Sequence, residues 1–211
     1  MSTRVKICGI TNAEDAIAAI GCGADALGFI RVSGSPRYVS AEHSAKIAAA
    51  LPPFVSRVGV MRDLSNAAES DARAFDAHQY YADAGAARSV EGARIRRIRC
   101  YRIAAASELD EIAETCAGCD AILLDTYHEA VLGGSGETFD WAIAAEARRR
   151  FDLPLILAGG LTPDNVGEAI RRVRPYAVDV STGVEAEPGR KDHAKLRAFV
   201  QAVRRADAAE R

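Results

Sequence analysis

Short apolar, β-branched runs alternate with longer Ala-rich stretches along the whole chain. The runs fall at residues 5–8, 26–30, 56–61, 77–81, 96–102, 121–125, 155–158 and 177–180 and read as strands. Between and after them, helices are expected at 13–20, 41–51, near 65–73, in a stretch ending near 94, and at 108–117, 141–150, 163–173 and 193–208. Asn12 can cap the first helix, with Glu14 and Asp15 in its first turn, where the helix dipole favours negative charge. Pro163 is expected to open the seventh, at a position where its missing N–H costs nothing. Strands that alternate with helices imply a parallel sheet covered by helices. Eight such units in roughly 200 residues point to a closed (β/α)8 TIM barrel whose chemistry sits at the C-terminal ends of the strands. On this pattern alone, an open doubly wound sheet is the alternative. The fourth unit is the weakest of the eight.

Composition narrows the class of function. The net charge of -2 argues against a protein that binds nucleic acid by neutralising phosphates. The arginine clusters at 94–99 and 148–150 read as solvated helix faces and strand ends. No apolar run approaches the roughly 20 residues of a membrane helix, and polar Ser2, Thr3, Arg4 and Lys6 break any signal-peptide pattern. A cytoplasmic protein of one domain spanning 1–211 is expected, with no membrane or nucleic-acid partner. Monomer and homodimer both remain open. Five scattered cysteines do not make a disulfide framework. Cys116 and Cys119 have C-x-x-C spacing, but they stand at a helix end where Gly118 reads as the stop, without a second ligand pair. The histidines at 43, 78, 128 and 193 show no metal spacing, so no metal is expected.

A barrel demands polar chemistry just after the strands, and it is there. Cys8 ends the first strand and Asp125 the sixth. Gly159 and Gly160 follow the seventh, and Ser181, Thr182 and Gly183 the eighth. Glycines let backbone N–H groups approach an anion, so the last two loops read as a phosphate cradle. Two glycines in a turn and a Ser–Thr cap would account for the same residues structurally. A lone strand cysteine is usually a small buried hydrophobe, and a lone aspartate at a strand end a cap or loop anchor. Across one barrel mouth, the two can form an acid/base pair.

These residues sit in motifs that resemble the phosphoribosylanthranilate isomerases. Lys6-Ile7-Cys8-Gly9-Ile10-Thr11 is similar to the family's opening motif, followed by Gly23-Ala24-Asp25, Gly28-Phe29 and Ser35-Pro36-Arg37-Tyr38-Val39. Leu124-Asp125-Thr126, Gly133-Gly134-Ser135-Gly136 and Phe139-Asp140-Trp141 resemble its sixth strand and loop. Gly159-Gly160-Leu161, Val180-Ser181-Thr182-Gly183-Val184-Glu185, Pro188-Gly189 and Lys191-Asp192 complete the pattern. The resemblance implies a ribulose-phosphate-binding barrel and a phosphosugar substrate, handled without a cofactor by an Amadori rearrangement of tryptophan biosynthesis. It implies Cys8 as general base, Asp125 as general acid and Arg37 as the residue that binds the anthranilate carboxylate. Gly159, Gly160, Ser181, Thr182 and Gly183 would hold the phosphate.

One region departs from the family. The family's fourth strand usually reads Val-Gln-Leu-His-Gly, whereas this chain has Ala77-His78-Gln79-Tyr80-Tyr81-Ala82. Only Gln79 matches, and Tyr81 stands where the family has histidine. Two alternatives follow: a diverged isomerase of a related aminated phosphosugar, and a catalytically silent phosphosugar-binding barrel. A silent barrel needs neither Cys8 nor Asp125.

Overall fold

The structure, a computed structural model, describes residues 2–64, 74–82, 95–125 and 141–209. Eight parallel strands close a barrel in chain order: β1 (Arg4–Cys8), β2 (Ala26–Ile30), β3 (Ser56–Asp63), β4 (Ala77–Ala82), β5 (Arg96–Arg102), β6 (Ala121–Asp125), β7 (Leu155–Ala158) and β8 (Ala177–Val180), with β8 back against β1. The open sheet is thereby excluded. The described helices are α1 (Ala13–Cys22), α2 (Ala41–Ala49), α3 (Leu109–Thr115), α4 (Trp141–Arg150), α5 (Val166–Val173) and α6 (His193–Ala209). The helices expected near 65–73 and ending near 94 lie outside the described residues.

Side chains alternate across each strand, which divides the apolar residues into two cores. Val58, Ala77, Ile98, Cys100, Leu123 and Ile156 fill the inside of the barrel. Val5, Ile7, Leu27, Phe29, Leu124, Leu157, Val178 and Val180 point outward under the helices. This pattern fixes the site, because the residues between the outward ones face in. Lys6 and Cys8 lie between and beyond Val5 and Ile7, and Asp179 lies between Val178 and Val180.

Two details differ from expectation. The seventh helix begins at Val166, not at Pro163. The Asn165 side chain accepts from the Thr162 N–H at 2.8 Å and donates to the Gly160 carbonyl at 3.0 Å. Pro163 therefore sits in a turn that ends the β7 loop. After β8 the chain forms a 3-10 turn (Thr182–Val184) and an antiparallel hairpin, β9 (Glu185–Glu187) with β10 (Arg190–Lys191), which the sequence pattern did not suggest. The hairpin is tied to α1: the Lys191 N–H donates to Asp15 at 2.8 Å, and the Thr11 hydroxyl donates to the Gly189 carbonyl.

Candidate active site

Cys8 ends β1 facing into the barrel and is buried. Beneath it, Lys6 Nζ donates to Asp179 Oδ2 at 2.9 Å, and both side chains are buried. Gly28, opposite Cys8 on β2, makes the room: a Cβ there would stand 2.7 Å from Cys8 Sγ and 3.1 Å from Lys6 Nζ. Burial pushes the Cys8 thiol above its ordinary pKa, the Lys6 and Lys191 ammonium groups pull it down, and Asp179 adds to the rise. The Lys6 ammonium is held charged against its burial by Asp179 and Cys8.

Arg37 lies at the neighbouring corner. A Cβ at Gly9 would stand 2.7 Å from Arg37 Cδ and 3.0 Å from Ser181 Oγ, so these residues meet above the ends of β1 and β8. Arg37 already holds a carboxylate. Its Nε donates to Glu185 Oε1 at 2.8 Å, and its Nη2 to Glu185 Oε2 at 2.6 Å. Lys191 Nζ, buried, donates to Glu185 Oε1 at 2.9 Å and to the Cys8 carbonyl at 2.6 Å. Burial opposes the Glu185 charge, but bonds from Arg37 and Lys191 outweigh it and hold the carboxyl below its usual range.

The loops after β7 and β8 pack backbone against backbone. Gly159 and Gly160 have φ of 88° and 63°, a region that side chains rarely enter. A Cβ on Gly183 would overlap the Leu161 carbonyl oxygen, whereas one on Gly160 would meet nothing within 4 Å. Among the described residues, Ser181 Oγ and Asp179 Oδ1 are buried without a hydrogen-bond partner. Such atoms are costly unless a ligand or water meets them.

Across the mouth, Asp125 ends β6 with its side chain 22% exposed, and Arg102 Nε lies 3.7 Å from its Oδ2. The Arg102 guanidinium lies over the Tyr81 ring at 5.1 Å. Tyr81 points into the barrel with the inner core, not under a helix, and lines a cavity of about 590 Å³ with Ile30, Val60, Arg62, Cys100 and Arg102. Burial, then the charges of Cys100, Asp125 and Cys8, keep its phenol protonated. The tyrosine thus stands near both Cys8 and Asp125. His78 faces the other way, edge-on to Phe75 with ring centroids 6.3 Å apart, as strand alternation requires. Thr126, Gly133 to Gly136, Phe139, Asp140 and His128 lie outside the described residues.

The structure therefore brings Cys8, Arg37, Ser181 and the β7–β8 loops together on one side and sets Asp125 across from them. Reasoning from the sequence left four residues here without a role: Lys6, Asp179, Glu185 and Lys191. Among the described residues no group of His, Cys, Asp or Glu could hold a metal ion, and no helix is long and apolar enough to cross a membrane.

A closed (β/α)8 barrel with buried polar groups clustered at the C-terminal ends of its strands defines a barrel enzyme. Residues 5–202 match the family described as "PRAI: N-(5'phosphoribosyl)anthranilate (PRA) isomerase". The N-(5'-phosphoribosyl)anthranilate isomerase of Pseudomonas fluorescens (strain Pf0-1) is 48% identical over 206 residues, 96% of this chain and 99% of the relative. A crystal structure of phosphoribosyl anthranilate isomerase in complex with reduced 1-(o-carboxyphenylamino)-1-deoxyribulose 5-phosphate is 37% identical, with a TM-score of 0.79, covering 96% of this chain and 98% of that one. Monomers of the dimeric enzyme from Thermotoga maritima are 36% identical, with a TM-score of 0.81 and the same coverage. The chain belongs to the phosphoribosylanthranilate isomerase family. Its activity is the conversion of N-(5'-phosphoribosyl)anthranilate to 1-(2-carboxyphenylamino)-1-deoxyribulose 5-phosphate in tryptophan biosynthesis.

Proposed function

We propose that Cys8 is the general base and Asp125 the general acid of this isomerisation. The observation that carries the reading is their placement at the ends of β1 and β6, inside one barrel mouth. Asp125, protonated, donates to the ribose ring oxygen; the C1–O bond breaks and the nitrogen lone pair closes an iminium. Cys8, as thiolate, takes the C2 proton, and the C2–H electrons neutralise the iminium to give an enolamine. Transfer of the enol proton to C1 yields the aminoketose. Atoms and electrons balance without a redox partner or metal. Each proton transfer contributes about 10²–10⁴-fold.

Three binding assignments accompany this pair. Arg37 binds the anthranilate carboxylate through its guanidinium fork. Gly159, Gly160, Ser181, Thr182 and Gly183 hold the phosphate, supported by the open space before Gly160 and the unpartnered Ser181 Oγ. The substrate is a phosphosugar, as the ligand named in the related complex is. Cys8→Ala, followed by loss of substrate fluorescence, should lower kcat by orders of magnitude with little change in substrate affinity. Near-normal turnover would remove Cys8 from the role. Cys8→Ser should also be poor, because a hydroxyl is far less acidic than a thiol.

We read residues 1–211 as one domain, since α6 packs back on α1 and α5 after the barrel has closed. A homodimer is the assembly favoured here. Phe54, fully exposed at φ 73°, borders a cavity of about 360 Å³ lined by Val5, Val58, Ala77, Ile98 and Ile156 beneath the barrel. The relative from Thermotoga maritima is dimeric. Phe54→Glu should make the chain monomeric in analytical ultracentrifugation, and an unchanged mass would reject this surface. A cytoplasmic location suits five free thiols.

A further inference from the structure

Arg37 carries two jobs on one guanidinium. Glu185 takes its side edge, through Nε and Nη2. An arginine has five N–H donors, and this grip uses one from Nε and one from Nη2. The end edge, one hydrogen each from Nη1 and Nη2, remains able to receive a second carboxylate bidentately. Among the described residues Nη1 has no partner. The side chains of Arg37 and Glu185 are 16% and 5% exposed, so little water competes for the pair.

Glu185 is in turn fixed. Lys191 donates to it from a fully buried ammonium that also donates to the Cys8 and Ser181 carbonyls, at 2.6 and 3.4 Å. The Gly189 N–H adds a bond to Glu185 Oε1 at 3.3 Å. Arg37 and Lys191 bring two positive charges and Glu185 one negative. The corner keeps a net charge of about +1, which matches a single carboxylate.

We propose that Glu185, braced by Lys191, is a positioning residue that aims the end edge of Arg37 at the carboxylate of the substrate's aromatic ring. The inference rests on the reading of Arg37 as the carboxylate-binding residue. It makes the β9–β10 hairpin part of the specificity device, because Glu185 and Lys191 begin and end it. Lys191 further joins this device to the backbone of Cys8, so the aromatic ring and the base are held in one frame.

The test compares kcat/KM for phosphoribosylanthranilate with that for N-(5-phosphoribosyl)aniline, which lacks only the carboxylate. The ratio of the two does not depend on how much of a variant is folded. Arg37→Ala should lower it about 100-fold, as expected for losing a charged bidentate pair. Glu185→Gln keeps the shape but loses the charge and one strong acceptor. It should lower the ratio about ten-fold, mainly through KM for the carboxylated substrate. In the Arg37→Ala background, Glu185→Gln should leave the ratio unchanged. If Glu185→Gln does not fold, Glu185→Gln with Lys191→Met keeps the net charge of the corner at about +1, on Arg37 alone, and gives the same readout. Equal losses on both substrates, with the ratio kept, would mean a merely structural Glu185 and overturn the inference. A rise in the ratio would mean that Glu185 competes with the substrate and would also overturn it. A ratio that survives Arg37→Ala would instead remove the Arg37 reading, and the inference with it.

Discussion

The two sides of the barrel mouth are built differently. On the β1–β8 side, charged groups are buried and paired: Lys6 with Asp179, and Arg37 and Lys191 with Glu185. On the β4–β5 side, Tyr81 and Arg102 line an open cavity, and Arg102 reaches Asp125 only at 3.7 Å from an exposed position. Burying charges costs several kcal/mol per ion unless each is paired. The first side therefore tolerates little change. The second, more exposed at Arg102, is where this chain departs from its family's pattern. The difference suggests that the frame around Cys8 is fixed, while the wall across from it can vary without loss of the reaction.

The largest effect should come from breaking the rigid side. Lys6→Met removes the ammonium beneath Cys8 and strands Asp179 as a buried, unpaired carboxylate. Removing one partner of a buried pair typically costs about 3–5 kcal/mol of stability, readable as a lowered denaturation midpoint. The same change withdraws the charge that most lowers the Cys8 pKa, so the thiol titrates higher still. With the Cys8 thiolate as the proposed base, kcat/KM of the wild type should rise with pH toward that raised pKa, and in Lys6→Met the rise should move to higher pH. Well below the pKa, a thiol whose titration moves up by about one pH unit keeps only about a tenth of its thiolate. Iodoacetamide labelling of the Cys8 peptide against pH, read by mass spectrometry, reports the titration directly. An unmoved labelling curve would show that the pair under Cys8 is structural alone.

A smaller loss is expected at the loops proposed to hold the phosphate. Gly183→Ala places a methyl against the Leu161 carbonyl oxygen, so the β8 loop must move away from the β7 loop. Overpacking of this kind costs about 1–3 kcal/mol. KM should rise, and competitive inhibition by inorganic phosphate should weaken in parallel. Inhibition that stays intact while KM rises would place the phosphate elsewhere.

These cases show which parts of the molecule the sequence exposes. The eight strands were readable because parallel barrel strands are short, β-branched and buried. The strand-end placement of Cys8 and Asp125 was readable because they end such runs. Lys6 and Asp179 were not given roles, since a lone lysine or aspartate is usually solvated. Only closure of the barrel brings the two together across 173 residues. The signal was nonetheless present: Val5 and Ile7 are outward, so alternation sends Lys6 inward with Cys8. Glu185 and Lys191 lay within the matched motif, yet they acquire meaning only through the hairpin, whose one local mark is Pro188-Gly189. Pro163 misled because the seventh helix waits for the Asn165 side chain to finish the turn, which propensity does not encode.

The smallest effect is expected on the variable side, at Tyr81. Its ring supports the Arg102 guanidinium at 5.1 Å, and its hydroxyl stays neutral. A cation over an aromatic ring contributes about 0.5–1 kcal/mol at exposed sites, so the tyrosine's contact with Arg102 is worth little. Tyr81→His restores the residue of the family pattern and keeps an aromatic ring under Arg102. An imidazole in that place is pulled both ways: Arg102 disfavours its protonation and Asp125 favours it. The opposed charges leave it without a strong bias toward the imidazolium, so it should add no new acid to the reaction. Kinetics on phosphoribosylanthranilate should therefore stay within about three-fold of wild type, consistent with a change below about 1 kcal/mol. Tyr81→Phe, which removes only the hydroxyl, should behave alike. A loss of about 100-fold or more in both variants would mean that the phenol binds the substrate. The β4–β5 wall would then be as constrained as the β1–β8 side, and the contrast between the two sides would fail.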